Sequence, residues 1–202
     1  MNKNNIILTI ILIILIAVAI FAIYTFKGSA NISRVNPYEE AYKHIVPNKE
    51  EKNICLTSFS TKITYPDENR THNIKTGCKY LNGLVIYQGD TFSFNEALGP
   101  FNEYQGYIES TGFNSEGEII KIVGGGICQV SSTLYNCALN YNLEIVERHA
   151  HSAPVDYVPQ GKDATILYDT VDLKFKNTTN KEITIKSYFK DESITVEFWT
   201  KE

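Results

Sequence analysis

A run of three glycines that leads into a helical pattern is the feature that most constrains this chain. Directly after Gly124-Gly125-Gly126, apolar residues recur at a 3–4 spacing, which predicts one face of an amphipathic helix: Ile127, Val130, Leu134, Ala138 and Tyr141. At about 100° per residue, Cys128 falls to the side of this face, whereas Cys137 falls on it. With a strand predicted over 118–123, the sequence indicates a strand–glycine–helix turn that presents Cys128 at a helix start.

This position of Cys128 is the one expected of a nucleophile. A thiol at a helix N-terminus meets the positive end of the helix dipole and unpaired N–H groups, which favour the thiolate. We expect the preceding glycines to let a substrate approach the backbone, because they carry no Cβ. The alternative is a tight turn followed by a small core cysteine, a role that suits Cys137 better.

The start of the chain predicts a membrane anchor. Residues 6–24 are apolar except for Thr9, and at about 1.5 Å per residue they span nearly the hydrocarbon core of a bilayer. We therefore expect an uncleaved single-pass anchor over residues 1–27, with the rest of the chain on the extracytoplasmic side of the cell membrane. The alternative is a cleaved signal peptide, for which Gly28-Ser29-Ala30 offers only a faint cleavage site.

Beyond the anchor we expect a polar tether over residues 28–52 and one domain over residues 53–202, which is long enough to bury a single core. The net charge of −4 argues against a nucleic-acid partner. Of the four cysteines, Cys55 and Cys78 form the pair for which a disulfide is conceivable outside the membrane. The sequence leaves that bond, and the oligomeric state, open.

The patterns within the domain predict an α+β fold. A strand is expected over 54–64, and then a helix capped by Asn69 or Thr71 that buries Ile74, Cys78 and Leu81. Segments 84–87 and 91–94 flank Gln88-Gly89-Asp90, a hairpin signal. Strand character returns over 143–151. Three alternating segments near the C-terminus then predict a three-stranded antiparallel meander, over 171–175, 183–185 and 194–198.

A cysteine nucleophile needs a base and a group that orients the base. Of the four histidines, His44 and His72 are expected at the surface, whereas His149 and His151 share one face of an extended segment and both can point at Cys128. The aspartates that can orient an imidazole there are Asp156 and Asp163. This order of cysteine, histidine and aspartate is similar to that of papain-like and transglutaminase-like enzymes, an analogy of arrangement only.

Other uses of these residues are less favoured. Ser131 and Ser132, early in the helix, are expected to make hydrogen bonds rather than to act as nucleophiles. A metal held by Cys128 with the two histidines has no clear fourth ligand and no Cys-x-x-Cys element. We therefore expect neither a metal nor a cofactor.

Five motifs resemble the VanW domain: Gly89-Asp90-Thr91-Phe92-Ser93-Phe94-Asn95, Gly124-Gly125-Gly126-Ile127-Cys128-Gln129-Val130-Ser131-Ser132-Thr133-Leu134-Tyr135-Asn136, Glu147-Arg148-His149-Ala150-His151-Ser152, Gly161-Lys162-Asp163-Ala164 and Asp172-Leu173-Lys174-Phe175-Lys176-Asn177. The resemblance as a whole covers roughly residues 54–199. The glycine–cysteine motif is the most specific of them. The chain departs from the family at Tyr87-Gln88-Gly89-Asp90, where a proline often precedes the glycine and a glutamate follows it. The departure affects only a turn.

The resemblance implies an L,D-transpeptidase that acts on tetrapeptide stems of peptidoglycan, with Cys128 as nucleophile. His151, ahead of His149, is the expected base, oriented by Asp163 or Asp156, and the Gln129 N–H is the expected oxyanion donor. The residues expected to bind substrate or the oxyanion are Gly125, Gly126, Gln129, Ser131, Ser132, Tyr135 and Arg148. The alternative is a non-enzymatic accessory protein that binds the cell wall or a glycopeptide through the same cleft.

Overall fold

The computed structural model describes residues 52–65, 67–114 and 116–202. The expected anchor and all of the expected tether except Lys52 lie outside the described residues. Among the described residues, no helix is long and apolar enough to span a bilayer. Residues Glu51–Glu202 form one compact unit, and its mixture of helices and antiparallel sheets confirms the α+β class.

The elements follow in chain order. The helices are α1 (Glu68–Leu81), α2 (Phe94–Leu98) and α3 (Ile127–Asn140), with a 3-10 turn at Glu103–Gln105. The strands are β1 (Asn53–Lys62), β2 (Val85–Ile86), β3 (Thr91–Ser93), β4 (Glu109–Phe113), β5 (Ile119–Val123), β6 (Glu144–Glu147), β7 (Lys174–Lys176), β8 (Ile183–Lys190) and β9 (Ser193–Lys201).

The main sheet has the strand order β1-β9-β8-β2 and is antiparallel throughout. A tight turn joins β8 to β9, with positive φ at Asp191 and Glu192, the geometry that suits the right-handed twist of a hairpin. Helices α1 and α3 pack on this sheet, whose alternating side chains on β9 are fully buried. The first and last strands pair along their length, and the Glu202 N–H donates to the Lys52 carbonyl at 3.1 Å.

The hairpin expected around Gln88-Gly89-Asp90 is wrong. Strand β2 pairs with β8 in the main sheet, whereas β3 pairs with β7 in a second sheet of order β3-β7-β6. The loop between them bonds instead to Asn177, whose N–H donates to the Asp90 carbonyl and whose carbonyl accepts from the Gly89 N–H. The loop is therefore a crossing between two sheets, which pattern alone does not distinguish from a hairpin.

The C-terminal meander is confirmed only for its last two strands. Strands β8 and β9 pair as expected, but β7 belongs to the second sheet. Asn177 directs this change, because its side-chain amide donates to the carbonyls of Ile86 and Lys181 and holds the chain in a turn between the two sheets. Alternation predicts a strand with one buried face, and it does not predict which sheet the strand joins.

Helix α1 begins earlier in the chain than expected. Asp67 is the N-cap and accepts the N–H groups of Asn69 and Arg70, so neither Asn69 nor Thr71 caps the helix. The expected buried face is confirmed, because Ile74, Cys78 and Leu81 are at most 2% exposed.

The glycines before α3 serve packing rather than substrate access. A Cβ on Gly125 would lie 2.6 Å from the carbonyl oxygen of Thr111 on β4, and one on Gly126 would lie 2.8 Å from Cγ of Arg70 on α1. Gly126 also has φ 105°, a conformation that favours glycine. The expectation of open space for a substrate is therefore wrong at both positions, because protein atoms occupy that space.

Gly125→Ala should lower the free energy of unfolding by about 1–3 kcal/mol, because the new methyl group must push β4 away from the start of α3. Gly161→Ala is the control, because its Cβ would meet nothing within 4 Å and only its positive φ is strained. Urea unfolding followed by circular dichroism measures both. A smaller loss for Gly125→Ala than for the control would contradict this account of the packing.

Candidate active site

Cys128 lies in the first turn of α3 and is partly buried. Its Sγ is 3.8 Å from Oγ1 of Thr165 and 3.7 Å from the carbonyl oxygen of Ile166. The strand–glycine–helix turn is thus confirmed, but a later segment of chain covers the thiol. The environment of Cys128 is set by that segment, residues 162–166.

Polar side chains of α3 hold the 162–166 segment in place. Ser131 Oγ donates to the Ala164 carbonyl at 2.6 Å, and Ser132 Oγ accepts the Ala164 N–H at 2.9 Å while it donates to the Cys128 carbonyl. Asn136 Nδ2 donates to the Lys162 carbonyl at 2.6 Å. Both serines are fully buried, so they hold the 162–166 segment against α3. The expectation that they line a substrate surface is therefore wrong.

Arg148 fixes the aspartate that this segment carries. Its Nε donates to the Asp163 carbonyl at 2.6 Å and its Nη2 to Asp163 Oδ1 at 2.7 Å. The guanidinium also lies over the ring of Tyr135 on α3, 5.6 Å from the ring centroid. Arg148 and Tyr135 were expected at the substrate, but the structure uses both to anchor Asp163.

The second oxygen of Asp163 orients His151. Asp163 Oδ2 accepts the backbone N–H of His151 and, on the tautomer that this network requires, the Nδ1–H, each at 2.7 Å. The His151 side chain is only 6% exposed, and Nε2 is left as the ring nitrogen that Asp163 does not hold. Asp156 lies elsewhere, where it accepts the hydroxyl of Thr64 at 2.7 Å.

The structure does not bring His149 to the site. Its ring is 47% exposed, and Nε2 lies 3.0 Å from Oε1 of Glu147 on β6. The backbone of His149 makes a bridge to Thr165, and beyond this bridge the chain leaves strand geometry. The rule that positions i and i+2 share a face therefore fails here, and of the two imidazoles that of His151 interacts with Cys128.

The three groups shift each other's pKa in the sense that favours charge. Burial raises the pKa of the Cys128 thiol, but hydrogen bonding and attraction to His151 outweigh burial and lower it below its usual value. Burial lowers the pKa of His151, but its interactions with Cys128 and Asp163 outweigh this effect and raise it. Burial raises the pKa of Asp163, which the N–H donors of His151 and the charge of Arg148 bring below its ordinary range. These directions favour a thiolate–imidazolium pair.

Gln129 is not placed as an oxyanion donor. Its N–H donates to the Gly126 carbonyl at 3.0 Å, and its buried side-chain amide donates to Thr61 and Lys62. By contrast, the N–H of Cys128 has no hydrogen-bond acceptor within the described part of the chain. The N–H of Cys128 itself is therefore available to a ligand at the helix start.

The other cysteines are separate from this site. Cys137 is fully buried in the core, as expected, with Sγ 3.4 Å from the Val196 carbonyl, and burial raises the pKa of its thiol to about 12. Cys55 and Cys78 are free thiols, the first exposed and the second buried. No group of three or more metal-ligating side chains occurs in the described ranges.

Sequence patterns did not indicate two residues at the site. Thr165 contacts the sulfur, and Tyr157 places its hydroxyl oxygen 3.5 Å from Nε2 of His151. Both lie in irregular chain between β6 and β7, where periodicity carries no signal. Two shallow depressions elsewhere on the surface, one along α1 and one beside β2 and β3, include neither residue.

Comparison with known proteins agrees with the resemblance seen in the motifs. Residues 69–199 match the family described as VanW like protein. The chain is 39% identical over 132 residues to the uncharacterized protein YoaR of Bacillus subtilis, a match that covers 65% of this chain and 43% of that protein. It is 33% identical over 132 residues to the vancomycin B-type resistance protein VanW of Enterococcus faecalis, covering 63% of this chain and 48% of that one.

The chain thus spans less than half the length of both curated relatives. No solved structure matches it. The family match covers most of the described domain, including α1, the glycine–cysteine turn and the His151–Asp163 pair. The chain belongs to the VanW-like family.

Proposed function

We propose that this protein is a cysteine-dependent L,D-transpeptidase that acts on tetrapeptide stems of peptidoglycan. The observation that carries the proposal is the linked arrangement of Cys128, His151 and Asp163 at the start of α3. The substrate class is inferred from the family and from a relative that is named for vancomycin resistance. An anchored, extracytoplasmic domain would meet this substrate in the cell wall.

The first half-reaction would form an acyl-enzyme. The Cys128 thiolate attacks the carbonyl carbon of the bond between diaminopimelate and the terminal D-Ala, and the Cys128 N–H donates to the oxygen that becomes negative. His151 gives its Nε2 proton to the departing nitrogen, so free D-Ala leaves and a thioester remains. Asp163 stays ionised and stabilises the imidazolium through Nδ1.

The second half-reaction would release the acyl group. An amine of a second stem attacks the thioester, neutral His151 accepts a proton from that nitrogen, and the Cys128 thiolate leaves. The product is a 3→3 cross-link. Water in place of the amine gives a trimmed stem by the same steps.

A binding module without catalysis is the competing function. A binding site has no need of a thiol with a lowered pKa that is linked to an oriented imidazole, so the pKa directions at Cys128 and His151 support the enzyme.

Cys128→Ser should fold normally and lose turnover of tetrapeptide muropeptides by about 1,000-fold or more, because a hydroxyl there is far less ionised than the thiol. Mass spectrometry of the muropeptides after incubation with the protein measures the loss. Cys137→Ala is the matched control: it should cost about 1–2 kcal/mol of stability and keep turnover. Full turnover in Cys128→Ser would leave only the binding function.

The alkylation rate of Cys128 by iodoacetamide should reach half its maximum at a pH below the ordinary thiol value of about 8.5, because the thiolate is the reactive form and its pKa is lowered. In His151→Ala, burial acts on the thiol without the imidazole, so the midpoint should move to higher pH. Mass spectrometry that locates the label on Cys128 measures both profiles.

A Cys55→Ser background removes the exposed thiol of Cys55 from the measurement. His149→Ala is the matched control and should leave the midpoint where it is, because that ring pairs with Glu147. A midpoint that His149→Ala moves and His151→Ala does not would show that the base is wrongly assigned.

A further inference from the structure

Tyr157 lies at the one ring nitrogen of His151 that Asp163 does not hold. We propose that the Tyr157 hydroxyl positions the neutral imidazole of His151 between the two half-reactions, by donating to Nε2 while Cys128 is acylated. The inference rests on the proposed function and adds to it a residue that acts in its second half. Tyr157 is thus a positioning residue, because it acts through His151.

The contact geometry supports this role. The Tyr157 oxygen is 3.5 Å from Nε2, and the two rings meet edge to face at 81° with centroids 6.4 Å apart. Since Nδ1 is bonded to Asp163, Nε2 is the ring nitrogen that remains for the interaction of His151 with the Cys128 thiol. The phenol lies beside this same nitrogen.

The needs of Nε2 change during the reaction. While the thiolate is present, the Nε2–H of the imidazolium has a negatively charged acceptor. After acylation the thiolate is gone and His151 has given up its Nε2 proton. Nε2 is then an unprotonated acceptor on a side chain that is 6% exposed. A buried acceptor without a donor is costly, and the Tyr157 hydroxyl is the side-chain donor that the described residues place there.

The phenol is suited to donate because it stays protonated. Burial raises the pKa of Tyr157 well above its ordinary value, and the negative charge of Cys128 and Asp163 raises it further. The positive charge of Arg70 and a hydrogen bond with Ser132 act in the opposite sense and do not reverse the shift. Tyr157 therefore offers Nε2 a hydrogen and does not compete with His151 as a base.

The loop that carries Tyr157 is tied to the domain on both sides of the phenol. Asp156 accepts the Thr64 hydroxyl at 2.7 Å, and Ser152 donates to the Asn114 carbonyl at 2.9 Å. Val158 is 6% exposed. These contacts fix the phenol relative to the imidazole, as a positioning role requires.

The decisive experiment imitates the acylated state and does not depend on the substrate. Cys128 is alkylated with iodoacetamide in the Cys55→Ser protein, and the pKa of His151 is measured by NMR. A hydroxyl that donates to neutral Nε2 favours the neutral ring, so removing it in Tyr157→Phe should raise the His151 pKa by about 0.5–1 pH unit. Tyr188→Phe is the control, because its hydroxyl bonds Glu197 on the exposed side of the sheet.

An equal or lower His151 pKa in alkylated Tyr157→Phe would overturn the proposal. If that variant does not fold, a ring-fluorinated tyrosine at position 157 keeps the hydroxyl and makes it a stronger donor, and the His151 pKa should then fall. No change with the fluorinated residue would equally overturn the role.

Kinetics test the same role during turnover. Tyr157→Phe should alkylate at Cys128 at nearly the wild-type rate, yet accumulate the acyl-enzyme and turn over about 10- to 100-fold more slowly. The expected loss is part of the roughly 100- to 10,000-fold that general-base catalysis contributes, because the variant keeps the base itself. Equal losses of alkylation and turnover would show a structural role instead. If the wild-type protein does not turn over muropeptides, the transpeptidase proposal fails, while the titration of the alkylated protein still decides the Tyr157 contact.

Discussion

The hydrogen bonds between α3 and residues 162–166 are the interaction on which the site depends. The buried side chains of Ser131, Ser132 and Asn136 form hydrogen bonds with main-chain groups of this segment, which has no regular structure of its own. An irregular segment in a core must satisfy its backbone in this way. Because the bonds reach the carbonyl of Lys162 and both main-chain groups of Ala164, they determine where Asp163 and Thr165, the residues on either side of Ala164, lie.

Charges of alternating sign form a row that ends at the sulfur of Cys128. The guanidinium of Arg148, the carboxylate of Asp163, the imidazole of His151 and the thiol of Cys128 each lie beside a group of opposite charge. Burying any one of these charges alone would be costly, whereas in a row each compensates its neighbour. Arg148 therefore supports the charge of Asp163, and Asp163 in turn supports the imidazolium beside the thiolate, without a contact between Arg148 and the sulfur.

The sequence patterns predicted the parts of the fold that local periodicity controls and, at the site, the position of Cys128 at a helix start. The helix bearing Cys128, the buried position of Cys137 and the β8–β9 pair follow from spacing alone. The patterns could not predict which strands pair. Strand β7 alternates like a strand of the main sheet, yet the side-chain amide of Asn177 directs it to the second sheet. Likewise, no pattern shows that Ser131 and Arg148 serve Asp163 rather than a substrate, since that depends on where a distant loop docks.

The pairing of β1 with β9 has a consequence for how this domain can be joined to other polypeptide segments. Lys52 and Glu202 lie side by side at one edge of the main sheet, so a polypeptide enters and leaves the domain at almost the same point. A domain with adjacent ends can be inserted into a surface loop of another protein, or circularly permuted, with little disturbance to its core. Segments joined to the domain at this point need not disturb the packing that holds Cys128 and His151 in place.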